Sequence, residues 1–151
     1  MNTLLNEEHL SHIGRSAEPK KELVTRRDIR KYSVGTGQRL KKFLNGDEAP
    51  PLYYMALFWD VVELDEMTED GLVVDHLIPE LPLKRAMAGG RKIEYFQPIR
   101  PGDTLIAKRT LSNIFEKQGR SGPLIFRVVT VAVENDAGEP VLTEIDTRIL
   151  R

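Results

Sequence analysis

The stretch of sequence that decides the fold runs from Ala49 to Leu64 and reads APPLYYMALFWDVVEL. It holds the single tryptophan of the chain and the densest run of large apolar side chains. Pro51 suits the first turn of a helix, because its φ is already helical and no backbone N–H is needed there. Between Leu52 and Val62 almost every position is apolar, which predicts a helix buried on all sides. A buried strand is the competing interpretation, but the length of the run favours the helix.

The composition limits the classes of protein to which the chain can belong. A length of 151 residues predicts one domain, covering 1–151, with a core of its own. The 22 basic and 23 acidic side chains nearly cancel, which argues against nucleic acid or a membrane as the main partner. The absence of cysteine excludes disulfides and thiol chemistry. Residues 1–10 lack a basic region followed by an apolar core, so we expect no secretion signal and a cytoplasmic protein.

The segment before the central run predicts a short helix. Thr25, followed three residues later by Asp28, is similar to a capping box at a helix start. The predicted helix covers about residues 26–34 and ends at the glycine that follows. We interpret residues 38–48 as a polar loop that leads into the central helix.

The second half of the chain predicts consecutive antiparallel strands at residues 91–96, 104–115, 124–134 and 141–149. Hairpin loops are expected at 119–123 and 135–138. In the last strand Glu144, Asp146 and Arg148 alternate with apolar and threonine side chains, which is typical of a half-buried strand. The pattern indicates an α+β domain whose sheet curls around the central helix.

The strand at residues 124–134 is apolar on both faces. One face covers the central helix, and the other needs a second cover. A partner subunit is the expected cover.

Several short segments, in this order and at these spacings, are similar to a known family. They are Val24-Thr25 with Asp28-Ile29-Arg30-Lys31-Tyr32, Ala49-Pro50-Pro51, Gly89-Gly90 leading into Glu94-Tyr95-Phe96, Arg100-Pro101-Gly102-Asp103, and residues 116–124. The chain resembles the amino-terminal type of MaoC-like dehydratase domain, called FAS1-like dehydratase, over residues 13–149. The resemblance implies a hot-dog fold, an antiparallel sheet wrapped around a long buried helix, assembled as a dimer of hot dogs.

The resemblance also implies a reaction. The family hydrates 2-enoyl thioesters or dehydrates 3-hydroxyacyl thioesters, carried on coenzyme A or acyl carrier protein, with no further cofactor. Catalytic members use an Asp and a His in a loop similar to Asp-x-Asn-Pro-x-His, and such a pair can activate water and pass a proton to the α-carbon. The start of the buried helix would polarise the thioester carbonyl.

Residues 38–48 contain neither histidine nor Asn-Pro. We therefore interpret the chain as the non-catalytic half of a dehydratase, paired in a heterodimer or heterotetramer with a MaoC-type subunit that carries the Asp and the His. Two alternatives stay open. One is a self-sufficient homodimeric hydratase that uses Asp47 or Glu48 as acid and base, although these carboxylates would equally complement the helix start. The other is an acyl-thioester-binding module without catalysis.

Six residues are predicted to bind the substrate: Pro50, Pro51, Ala88, Gly89, Gly90 and Arg120. The prolines stand where the central helix begins. Relatives often carry Asn or His at the position of Ala88, and the paired glycines either let a thioester approach the backbone or form a turn before a strand. Arg120 lies in a glycine-rich hairpin and can meet a phosphate.

Other candidates have structural alternatives. His9 and His12 would meet on a helix, but no third ligand is near, so no metal site is predicted. His76 is interpreted as a surface histidine rather than an acid or base. The aromatic residues of the central run are assigned to core and interface. Basic residues of the first third either receive coenzyme A phosphates or form a solvated helix face: Lys20, Lys21, Arg26, Arg27, Arg30, Lys31, Arg39, Lys41 and Lys42.

Overall fold

The computed structural model describes residues 3–151; Met1 and Asn2, the first two of the residues 1–10 in which no secretion signal is expected, lie outside them. A single antiparallel sheet has the spatial order β1–β3–β4–β5–β2. Its strands are β1 (Lys20–Leu23), β2 (Ala86–Tyr95), β3 (Thr104–Gly119), β4 (Gly122–Asn135) and β5 (Pro140–Leu150). The helices are α1 (Glu7–Ser11), α2 (Arg26–Gly35), α3 (Lys41–Leu44) and α4 (Tyr53–Leu57), with a 3-10 turn at Leu64–Glu66. The predicted α+β class is confirmed.

The strands follow the predicted segments with longer bounds. The β3–β4 hairpin turns at residues 120–121, and the β4–β5 connection falls at residues 136–139, as predicted. Two strands differ from the prediction. β1 lies in a segment for which no strand is predicted, and β2 begins at Ala86 instead of 91. Both are edge strands, which need less apolar patterning because one side is open to solvent.

The predicted helix before the central run is confirmed as α2. The Thr25 hydroxyl accepts from the Asp28 amide at 3.1 Å and donates to its carboxylate at 2.7 Å, which satisfies an otherwise unpaired donor of the first turn. Ile29 and Ser33 are fully buried on one face of the helix. The predicted loop at 38–48 contains the short helix α3 instead, whose Phe43 is buried.

The prediction of a long, fully buried central helix is wrong in length. α4 has only five residues, and the chain then leaves the helix. Tyr53 and Tyr54 are buried, but Trp59 is 69% exposed and Val61 is 100% exposed. The second half of the apolar run therefore lies on the surface.

The sheet beneath α4 explains why the helix stops. Strand pairing puts Leu142, Glu144, Asp146 and Arg148 of β5 on one face, together with inward residues of β4 such as Val131. Glu144 is buried and bonded to Tyr54 of α4, so this face is the concave one. The charged residues of the last strand therefore point inward. An apolar helix laid over them would cover charges instead of a core.

Two apolar clusters fill the ends of the concave face. One packs Tyr53 and Tyr54 against Val24, Ile29 and Leu105. The other packs the loop around 77–81 against Leu111, Ile114 and Ile125, among other residues. A charged strip remains between the two clusters. Within residues 3–151 no helix is both long and apolar enough to cross a membrane.

Two irregularities bend the sheet near this strip. The β3–β4 register shifts between Leu111 and Asn113, and the β2–β5 register shifts between Ala88 and Gly90. Extra residues of this kind increase local twist and bending. Both lie at the level of Thr147 in β5.

Candidate functional site

A groove of about 410 Å³ lies at the start of α4. Pro50 and Pro51 form one wall, and the end of β2 with the residues after it forms the other. Tyr95 ties the walls together, because its hydroxyl donates to the Pro51 carbonyl. The Ala49 amide donates to the Ile99 carbonyl at 2.8 Å. Hydrogen bonds therefore hold the walls of the groove together, and the groove lies where the family resemblance implies the reaction.

The two carboxylates predicted as candidate acids lie beside this groove, and both are engaged by basic side chains. Asp47 contacts Arg26 at 2.5 Å, with both side chains about half exposed. Glu48 lines the groove and contacts Lys42 at 2.9 Å. The two carboxylates pair with different cations and not with each other.

The three histidines lie away from the groove. His9 completes the cap of α1, where its Nδ1 accepts from the Asn6 amide at 3.1 Å. His12 caps the other end of that helix through Glu8 O at 2.9 Å. His76 is exposed in the loop before the second apolar cluster. Within residues 3–151, no three metal-ligating side chains form a cluster.

The structure does not bring the other predicted binding residues to this groove. Ala88, Gly89 and Gly90 lie inside β2 and not in a turn, so the turn interpretation of the glycines is wrong. A side chain at Gly89 would meet Ile149 and the Thr147 carbonyl at 2.9 Å, so its close neighbour is β5 itself. Arg120 lies at the tip of the β3–β4 hairpin, about 35 Å along the strands from the level of Tyr95.

The basic residues of α2 are gathered on one surface. Arg26, Arg27, Arg30 and Lys31 line an open depression of about 750 Å³. Lys20 instead pairs with Asp60. The predicted phosphate-binding residues that lie on α2 therefore share one face of the helix, near α3 and the groove.

A set of charged residues that the sequence patterns do not predict lies across the middle of the concave face, and we call it the charged belt. Its members are Arg91, Arg109, Arg127, Arg148, Asp75, Glu144 and Asp146. Neighbouring strands supply all of them except Asp75, which comes from the loop after the 3-10 turn. The alternation of charged residues in β5 is the signal in the sequence that points to them, but alternation does not indicate which face of the strand lies inside.

Glu144 is the most buried member of the charged belt, with only 5% of its surface exposed. It accepts from the Tyr54 hydroxyl and contacts Arg91 Nε at 3.2 Å. Burial raises the pKa of Glu144 to about 7, and the negative charge of Asp146 acts in the same direction while Arg148 opposes both. The group therefore changes its charge near neutral pH.

Asp75 behaves in the opposite way. Burial alone would raise the pKa of Asp75, but the hydrogen bonds and charge of Arg109, the Leu77 amide and the charge of Arg127 together hold this pKa below its usual value. The two guanidinium nitrogens of Arg109 bind the carboxylate at 2.7 and 3.3 Å. This bidentate pair ties the loop to the sheet.

A smaller cavity of about 160 Å³ adjoins the charged belt. Tyr54, Met55, Phe58 and Trp59 line it from α4 and the residues after it. Arg109 and Glu144 line it from the sheet. The early end of the helix therefore leaves an apolar space whose floor is charged.

The curled sheet, the helix seated in it and the groove at the helix start define a hot-dog protein, and solved structures agree. A chain of the ChsH1–ChsH2 complex from Mycobacterium tuberculosis superimposes with a TM-score of 0.69 at 14% identity, over 95% of this chain and 86% of that one. A MaoC-like dehydratase from Phytophthora capsici gives a TM-score of 0.68 at 23% identity, over 97% of this chain and 50% of that one. The predicted hot-dog fold is confirmed.

The sequence identifies the family within that fold. The family described as the FAS1-like dehydratase domain region matches residues 11–144. The chain belongs to this family, as the resemblance predicted. It is also 33% identical over 81 residues to mesaconyl-C(4)-CoA hydratase of Chloroflexus aurantiacus, a match that covers 53% of this chain and 29% of that protein. The chain thus matches less than a third of the length of that relative.

Proposed function

We propose that the chain is the non-catalytic half of an enoyl-thioester hydratase or 3-hydroxyacyl-thioester dehydratase. It shapes the acyl pocket, and a MaoC-type partner supplies the catalytic Asp and His. The observation that carries the proposal is the groove at the start of α4, whose two candidate carboxylates are paired with Arg26 and Lys42 and which no histidine lines. A reaction that adds water across a double bond needs a positioned acid and base.

The short central helix supports the same proposal. With only five residues, α4 can add little through its dipole to the polarisation of a thioester carbonyl. The basic depression on α2 is suited to the phosphates of coenzyme A. The substrate is then an acyl thioester that spans from this depression to the concave face.

The surface supports pairing with a second hot dog. β2 is an edge strand of ten residues and is exposed along most of its length. A long exposed edge is a template for pairing unless a partner covers it. Trp59, Val61 and Leu64 add large exposed apolar side chains, at 69%, 100% and 86% exposure. The similarity to a chain of a two-component complex agrees with such pairing.

The test assays hydration of a short enoyl-CoA by this chain alone, by a histidine-bearing MaoC-type protein encoded beside it, and by both together. We expect no turnover by this chain alone and turnover by the pair, abolished when the partner's catalytic histidine is replaced. Turnover by this chain alone that is lost in Asp47→Asn or Glu48→Gln would instead show a self-sufficient hydratase. Saturable acyl-CoA binding without turnover, whether the chain is alone or paired, would show that it is an acyl-thioester-binding module without catalysis.

We expect the exposed apolar segment after α4 to contribute to the partner contact. Trp59→Ala should weaken assembly with the MaoC-type partner by about ten-fold or more, because large aromatic side chains at an interface dominate its binding energy. Val34→Ala on α2 is the matched control, since Val34 is also 69% exposed. Analytical ultracentrifugation of the mixed proteins measures both. Equal assembly of the two variants would contradict the assignment of this surface.

A further inference from the structure

Two arginines of the charged belt face each other across neighbouring strands. Arg127 of β4 is the direct cross-strand partner of Arg148 of β5, and both lie on the concave face. Side chains in directly opposite positions start only about 5 Å apart, so like charges there destabilise a sheet. Two positive charges thus face each other at a position where like charges lower the stability of the sheet.

Each carboxylate beside this pair is shared with another arginine. The nearest acid to Arg127 is Asp75, at 3.9 Å, and that carboxylate is already bound by Arg109 at 2.7 Å. Arg148 contacts Asp146 only through Nε at 3.3 Å, and the Asp146 carboxylate also binds Arg91 at 3.1 Å. Among the hydrogen bonds of residues 3–151, Arg127 donates none to another side chain, and neither do the terminal nitrogens of Arg148.

The two arginine side chains are partly buried. The Arg127 side chain is only 23% exposed and the Arg148 side chain 41% exposed. Burial lowers the pKa of Arg127; the charges of Arg148 and Arg109 act in the same direction, and those of Asp75 and Asp146 act against it. A partly buried cation that shares its carboxylate with another arginine is stabilised when a further anion joins it.

The position of the pair indicates which kind of anion it meets. The cavity beside α4 has apolar walls from Phe58 and Trp59 and ends on the belt at Arg109 and Glu144. The arginine pair lies four residues further along β4 from Val131, which lines that cavity, or about 13 Å. An acyl group that enters past apolar walls would therefore present its far end to the belt.

We propose that the acyl group held on the concave face carries a free carboxylate, which Arg127 and Arg148 bind together. The proposal rests on the proposed function, in which this face shapes the acyl pocket. The planar guanidinium group matches the two oxygens of a carboxylate and forms charge-assisted hydrogen bonds with them. A coenzyme A phosphate offers the same oxyanion chemistry, and the experiments separate the two sources.

The first experiment compares two substrates of the reconstituted complex: an enoyl-CoA with a carboxylate at the far end of the acyl group, and its uncharged methyl ester. Arg127→Gln and Arg148→Gln should each raise the KM for the carboxylated substrate by about 10- to 100-fold, the effect of losing a charge-assisted pair. The KM for the ester should stay within about two-fold. Arg15→Gln, an exposed arginine outside the belt, is the matched control.

The outcomes separate the proposals. Equal losses for both substrates would mean that the pair binds coenzyme A phosphate, and unchanged kinetics would mean that it binds no part of the substrate; either result overturns the carboxylate proposal. Loss of assembly in the variants, seen by ultracentrifugation, would assign the pair to a carboxylate of the partner subunit and would overturn it as well. Failure of the complex to hydrate any enoyl-CoA overturns the proposed function instead.

A second experiment needs no turnover. Succinate should raise the Tm of the intact chain and of Arg15→Gln, whereas succinamide, its uncharged analogue, should not. The double variant Arg127→Gln/Arg148→Gln should lose the shift, and it is expected to fold because the change removes a repulsion. A shift that survives in the double variant, or that is absent from the intact chain, would overturn the proposal whatever the outcome of the kinetics.

Discussion

Replacing Tyr53 by alanine is expected to lower the free energy of unfolding by about 3–5 kcal/mol, the usual cost of deleting a large buried aromatic side chain. Tyr53 is 2% exposed and belongs to the cluster that holds α4 in the concave face. Its ring meets Tyr32 of α2 edge-on, with centroids 5.7 Å apart. Because α4 has so few residues, this side chain carries a large share of its attachment. Urea denaturation followed by circular dichroism measures the change.

Tyr53→Phe is the matched control for this prediction. The Tyr53 hydroxyl is buried and has no hydrogen-bond partner within residues 3–151. Burial, followed by the charges of Asp28 and Glu22, raises the pKa of this hydroxyl to about 12, so it stays neutral. Removing an unpaired buried hydroxyl should leave stability equal or slightly higher. A similar loss in both variants would show that the hydroxyl, and not the ring, holds the helix.

Stability is expected to fall by about 2–3 kcal/mol as the pH rises from about 4.5 to about 7, because of Glu144. The pKa of Glu144 is raised from 4.5 to about 7, so in this window the folded chain keeps a proton that the unfolded chain has released. The contribution is fully present below pH 4.5 and is lost once the pH exceeds the folded pKa. Glu144→Gln removes the titration and keeps an acceptor for Tyr54. It should therefore be more stable than the natural chain above pH 8 and about equal below pH 4.5.

Glu134→Gln controls for the loss of one carboxylate, because Glu134 is exposed near the end of β4. Its pH profile should match that of the natural chain. The lowered pKa of Asp75 acts in a separate, more acidic window, where stability falls as the pH falls. Urea denaturation from pH 4 to 9 covers the Glu144 window, and the Asp75 window lies below this range. An identical profile for Glu144→Gln and the natural chain would contradict a buried, proton-binding Glu144.

The sequence predicted most of the sheet, because its strands alternate in the usual way and its turns carry strong signals. The Asn135–Gly138 connection and the glycine-flanked hairpin at Arg120 both form where expected. α2 followed from its cap at Thr25. These features depend on neighbours in the chain, which a sequence displays directly.

The length of the central helix could not be predicted in this way. An unbroken apolar run does not state what lies opposite it, and here a longer helix would lie over a charged strip of sheet. Similarly, alternation in β5 shows that its two faces differ but not which face is inside. Pairing with β4 decides that question and turns Glu144 inward. The charged belt was missed for the same reason, since its members come from separate strands.

The irregularity at Ser112 in β3 has one more consequence. Inward side chains are odd-numbered before it, as at Ala107 and Leu111, and even-numbered after it, as at Ile114. Because of the extra residue, the inward positions of β3 change from odd to even numbers along a strand that contributes to both apolar clusters. Deleting Ser112 would remove only the extra residue, so Leu111 and Ile114 would stay on the inward face and keep their pairing with β4. A single-residue gap at this point in an alignment of relatives therefore marks a less bent sheet whose two core halves are intact.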